Sequence, residues 1–63
     1  MKDWYVMVKS KFRLGVIYSD VVEATSAEAA AIKMGSGSVR LFYKGEDYWQ
    51  YVGVSYIYEV KEI

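Results

Sequence analysis

Tyr43–Val60 reads YKGEDYWQYVGVSYIYEV and carries six aromatic rings in eighteen residues. Successive side chains of a strand point to opposite faces. Taken as one strand, Tyr48, Gln50, Val52, Val54, Tyr56, Tyr58 and Val60 share one face, and Trp49, Tyr51, Gly53, Ser55, Ile57 and Glu59 share the other. Gly53 is the place where this strand would bend or divide in two, and a bulge there would exchange part of the two sets. The preceding KGED reads as a hairpin turn.

Upstream of that turn, VRLFYK reads as a strand with Val39, Leu41 and Tyr43 inward and Arg40, Phe42 and Lys44 outward. DWYVMVKSKF alternates in the same way, with Trp4, Val6 and Val8 on one face and Tyr5, Met7, Lys9 and Lys11 on the other. Phe12–Gly15 is the expected turn, and VIYSDVVEA the expected second strand. In that strand Asp20 shares a face with Val22 and Ala24, so a bulge near Ser19–Asp20 is expected to spare the carboxylate from burial.

TSAEAAAIKMG is the one helical segment. Ser26 suits the N-cap, Glu28 the positive first turn, Lys33 the last turn, and Gly35 the stop. Four alanines supply helix propensity, and a stripe of Ala27, Ala30, Ala31 and Met34 permits close seating on a sheet. GSGS, residues 35–38, reads as the loop returning the chain to the sheet. It has neither the spacing nor the Lys of a phosphate-binding loop, and it follows a helix C-terminus, whose negative dipole end repels phosphate.

These segments predict a single domain over residues 1–63 of the α+β class, in ββαββ order. An antiparallel sheet of four strands, or five if Gly53 divides the last, carries one short helix on one face. The chain is near the lower size limit for folding alone. It contains neither Cys nor His, which removes disulfides and the commonest zinc ligands. No apolar run suits a secretion signal or a membrane span, so the expectation is a soluble, cytoplasmic protein with no membrane partner.

Catalysis finds little support in the residue inventory. The commonest general base and the best thiol nucleophile are both missing. The acidic residues are scattered, and the adjacent pair Glu46–Asp47 sits in a turn, so no catalytic residue, metal site or cofactor is predicted. The sheet face away from the helix is different. It is expected to carry Tyr5, Met7, Ile17, Val21, Phe42, Trp49, Tyr51 and Ile57, interspersed with Lys9, Lys11, Arg40, Lys44 and Lys61 against Glu23 and Glu59. An apolar face of that size exceeds what monomers usually leave in water. Tyr5, Lys9, Arg40, Phe42, Lys44, Trp49 and Tyr51 are therefore the candidate partner-binding residues.

The expected partner is a protein or protein complex, since these residue types are enriched at protein interfaces. Single-stranded nucleic acid, stacked on the same aromatics, is the second reading, and a second copy of the chain the third. Val22, Ala24, Ser26, Glu28 and Ala30, within VVEATSAEAAAIKM, resemble small ββαββ accessory proteins of phages and plasmids, among them anti-CRISPR proteins. That resemblance implies a stoichiometric inhibitor acting in the host cytoplasm on a host defence complex.

Overall fold

A computed structural model describes residues 1–35 and 39–63. The remainder of the GSGS loop, residues 36–38, lies outside the described residues. The chain forms β1 (Lys2–Ser10), β2 (Val16–Ala24), α1 (Ala27–Met34), β3 (Arg40–Lys44), β4 (Tyr48–Val52) and β5 (Tyr56–Glu62). The α+β class, the antiparallel sheet and the single short helix agree with the sequence reading; the strand order becomes ββαβββ. The strands lie side by side in the order β2-β1-β5-β4-β3.

β1 and β2 form as the alternation predicts, joined by an exposed loop in which Gly15 takes φ 91°. Only Gly adopts such a value without strain. The extra residue of this hairpin is Ile17: Val8 pairs with Tyr18 and Lys9 with Val16. The expected bulge at Ser19–Asp20 is not where the ladder breaks. Asp20 does face the helix side, opposite Val6, but it is exposed because α1 does not extend over this part of the edge strand. Its carboxylate stays in water, and no bulge is needed to rescue it.

α1 begins as expected, with the Ser26 hydroxyl accepting the Ala29 N–H at 3.1 Å. Its Ala27, Ala30 and Ala31 are buried against β5, β1, β2 and β4. The core beneath them comprises Trp4, Val6, Val8, Ala24, Tyr51, Tyr58 and Val60. Alanines bring the helix backbone close, so the large rings of the sheet fill the layer between. The Trp4 indole N–H donates to the Ala24 carbonyl at 2.9 Å, leaving no buried polar atom of this ring unsatisfied.

Candidate functional site

Two hairpins set the geometry at the β3 end of the sheet. The β3–β4 turn closes through the Gly45 N–H donating to the Tyr48 carbonyl at 2.6 Å. The β4–β5 turn closes through the Gly53 N–H donating to the Tyr56 carbonyl at 2.9 Å, with Val52 opposite Ile57. Tyr48–Val60 is thus two strands, and its faces are reassigned. Trp49 and Tyr51 lie on the helix side with Val60 and Tyr58, while Tyr48, Gln50 and Val52 turn to the uncovered side with Glu59 and Ile57. Val54, expected in the core, projects from the turn and is 92% exposed.

β3 departs from simple alternation as well. Arg40 pairs with Val52 and Leu41 with Tyr51, but Tyr43 pairs with Gln50 and Lys44 with Trp49. Phe42 is the unmatched residue, and its ring is 74% exposed. Tyr43 therefore moves to the uncovered face and Lys44 to the helix side, the reverse of the expected arrangement. A bulge re-aims side chains in this way at sheet edges.

The seven candidate residues consequently occupy three places. Tyr5 and Lys9 lie on the uncovered face, half-buried. There the Lys9 ammonium sits 2.9 Å from Glu59, which also accepts from the Gln50 amide at 3.4 Å. Burial, and after it the neighbouring Glu59 carboxylate, push the Tyr48 phenol above its ordinary value. Lys9 and Glu59, both expected on this face, thus neutralise each other across it.

Lys44, Trp49 and Tyr51 fall on the helix side. The Lys44 ammonium lies 6.0 Å from the Trp49 ring centre, and Trp49 meets Trp4 edge-on at 5.4 Å. Tyr51 is only 7% exposed, and burial with the nearby Glu28 carboxylate raises its phenol. The expectation that Trp49 and Tyr51 join the uncovered face is corrected: a two-strand reading reverses them, and the second Trp completes the core.

Arg40 and Phe42 remain together, and they border a cleft of about 720 Å³. Val39, Leu41, Val52, Gly53 and Val54 add apolar lining, and Lys11 a second cation. Lys11 is held beside the turn because its N–H donates to the Ser55 carbonyl at 3.1 Å. No carboxylate lines the cleft, and among the described residues the ion pairs are Lys2–Glu62 and Lys9–Glu59. The cleft therefore presents two free cations beside exposed apolar groups. Val54 is the member that reading one continuous strand concealed; Gly53 and Ser55, both turn formers, were the available signal.

Among the described residues no three His, Cys, Asp or Glu side chains converge as metal ligands, and no helix is long and apolar enough to cross a membrane. Comparison with protein families, curated proteins and solved structures gave no match.

Proposed function

We propose that this chain is a non-catalytic protein-binding module whose partner docks at the cleft between β3 and the β4–β5 turn. The observation that carries the reading is Phe42, an aromatic ring 74% exposed at a strand bulge, lining one cleft with Val54 and with two cations that have no ion-pair partner among the described residues. An aromatic anchor with an adjacent Arg is the composition of interface hot spots, and a concave apolar patch is where such an anchor gains most. The complementary surface is an apolar side chain flanked by carboxylates. A stoichiometric inhibitor of a larger host complex, the role the helix-entry resemblance implies, would use the cleft in this way.

Single-stranded nucleic acid is the competing ligand, because Phe42 with Lys11 and Arg40 also suits a stacked base between phosphates. The deciding experiment compares wild type with Phe42→Ala, Val54→Ser in affinity capture from host lysate, with a labelled oligothymidine tested in parallel at low salt. Both side chains are exposed, so the variant should unfold at the wild-type denaturant midpoint. A protein captured by wild type and lost by the variant supports the proposal. Equal capture removes the cleft as the site, and oligothymidine binding that weakens steeply with salt moves the reading to nucleic acid.

A further inference from the structure

The loop between β1 and β2 supports a second inference, which does not depend on a partner in the cleft. Lys11-Phe12-Arg13-Leu14 alternates cations with large apolar side chains. Phe12 is 80% exposed and Leu14 101%, as open to water as in an extended chain. Neither lines the Phe42 cleft, and neither belongs to the core. The loop backbone is nonetheless tied down. The Lys11 N–H donates to the Ser55 carbonyl at 3.1 Å, the Phe12 N–H donates to the Ser10 hydroxyl at 3.0 Å, and Gly15 turns the chain into β2. A tethered backbone thus holds Phe12 and Leu14 out in water, beside two cations with no ion-pair partner among the described residues.

Charge is sorted along the strands. The antiparallel ladders bring this loop, the β4–β5 turn and the start of β3 to one end of the sheet. Residues 10–17, 39–42 and 52–57, which build that end, include Lys11, Arg13 and Arg40 but no Asp or Glu. Asp3, Glu23, Glu46, Asp47 and Glu62 lie at the other end, with Glu28 just beyond β2 in the first turn of α1. Of the two acids at mid-strand, Glu59 is paired with Lys9, and Asp20 accepts the Val21 N–H at 2.8 Å. Asp3 to Ser10 spans roughly 23 Å at about 3.3 Å per residue. That exceeds the Debye length of about 8–10 Å at moderate salt. A chain of zero net charge therefore presents a local positive potential around the loop.

We infer that this loop docks the protein on an anionic lipid bilayer. Phe12 and Leu14 enter the boundary between headgroups and acyl chains, while Lys11 and Arg13 meet the lipid phosphates. Charge complementarity favours this partner, and so does shape. A bilayer takes up isolated apolar tips without offering a matching pocket, and Phe or Leu set beside Lys or Arg is the composition of interfacial anchors. A protein partner fits less well, because Phe12 and Leu14 line no concavity and Lys is depleted at protein interfaces. Single-stranded nucleic acid would leave Leu14 with no stacking role. Among the described residues no helix is long and apolar enough to span a membrane, so the contact is peripheral and reversible.

Co-sedimentation of the full chain with sucrose-loaded vesicles tests this directly. Wild type should pellet with vesicles of equal parts phosphatidylcholine and phosphatidylglycerol, far less with phosphatidylcholine alone, and less as salt rises. Phe12→Ser, Leu14→Ser should lower the partition coefficient roughly tenfold or more, since burying one large apolar side chain already supplies that much. Lys11→Gln, Arg13→Gln should lower it about fivefold per cation at low salt. All four side chains are exposed, so both variants should unfold at the wild-type denaturant midpoint. Phe42→Ala, Val54→Ser should pellet like wild type, which separates this site from the cleft. Wild type that stays in solution with the anionic vesicles at low salt overturns the inference. Equal pelleting of the Phe12→Ser, Leu14→Ser variant does so too, as does equal pelleting with phosphatidylcholine alone. Oligothymidine binding that needs Lys11 and Arg13 but not Leu14 would overturn it in favour of nucleic acid.

Discussion

Gly35 ends α1 with φ −106° and ψ −174°, an extended conformation open to any residue. Its N–H donates to the Ala31 carbonyl at 3.0 Å. The sequence places a helix stop here on the strength of glycine's left-handed tolerance, and the stop is correct for another reason. A Cβ at this position would meet the Tyr58 ring, with Cζ only 2.9 Å away and the hydroxyl nearer still. Tyr58 is buried and cannot swing aside. Gly35→Ala should therefore cost about 1–3 kcal/mol of stability through overpacking. Urea unfolding measures it, and Tyr58→Phe in the Gly35→Ala background should recover part of the loss. No loss in the single variant would show that the ring yields freely. Propensity thus reveals where a helix ends; which ring approaches the end depends on strands far along the chain.

At the scale of elements, the two ends of the sheet were unequally legible. β1 carries clear alternation, β2 is bounded by Gly15 and the helix entry, and α1 carries both cap and stop, so their bounds follow from sequence, although the bulge at Ile17 does not. β4 and β5 look like one strand because alternation survives on each side of Gly53–Ser55. Across their turn, however, paired residues have numbers of opposite parity, as in Tyr51–Tyr58, so faces assigned by counting through the turn are reversed for β4. Length was the stronger signal, since strands commonly run about 3–10 residues. β3 is exposed throughout, and without a buried face nothing in its five residues fixes the register or reveals the bulge.

The corrected β4–β5 hairpin puts two phenols into the core side by side, and burial raises both above the ordinary phenol value of about 10. A group with a raised folded pKa keeps its proton in the fold after the unfolded chain has lost it. Stability from these tyrosines is therefore fully present below the ordinary phenol pKa and declines as pH rises through and beyond it. Unfolding midpoints taken from about pH 8 to about pH 11 should fall at the alkaline end. Tyr51→Phe should flatten that fall, and an equal slope in the variant would exclude Tyr51 as a source.

For the whole molecule, strand order matters more than strand content. The central pair joins β1 to β5, which lie at opposite ends of the described chain, and Val6 faces Val60 there with neither side chain exposed. Val60→Ala should cost about 2 kcal/mol, and because the contact closes a long loop the loss should appear mainly as slower folding. Val22→Ala, in the local β1–β2 hairpin, should act mainly on unfolding; stopped-flow chevrons separate the two, and a Val60→Ala effect confined to the unfolding limb would contradict this. The sheet's outer margins are then β2 on one side and β3, with the Phe42 cleft, on the other.

The same central seam sets a schedule for synthesis. A ribosome makes β1 and β2 first, so β1 emerges with one flank bare, and Trp4, Val6 and Val8 wait for rings that have not yet been translated. Native structure can close only after Tyr56–Glu62 has left the exit tunnel, so everything made before β5 waits on it.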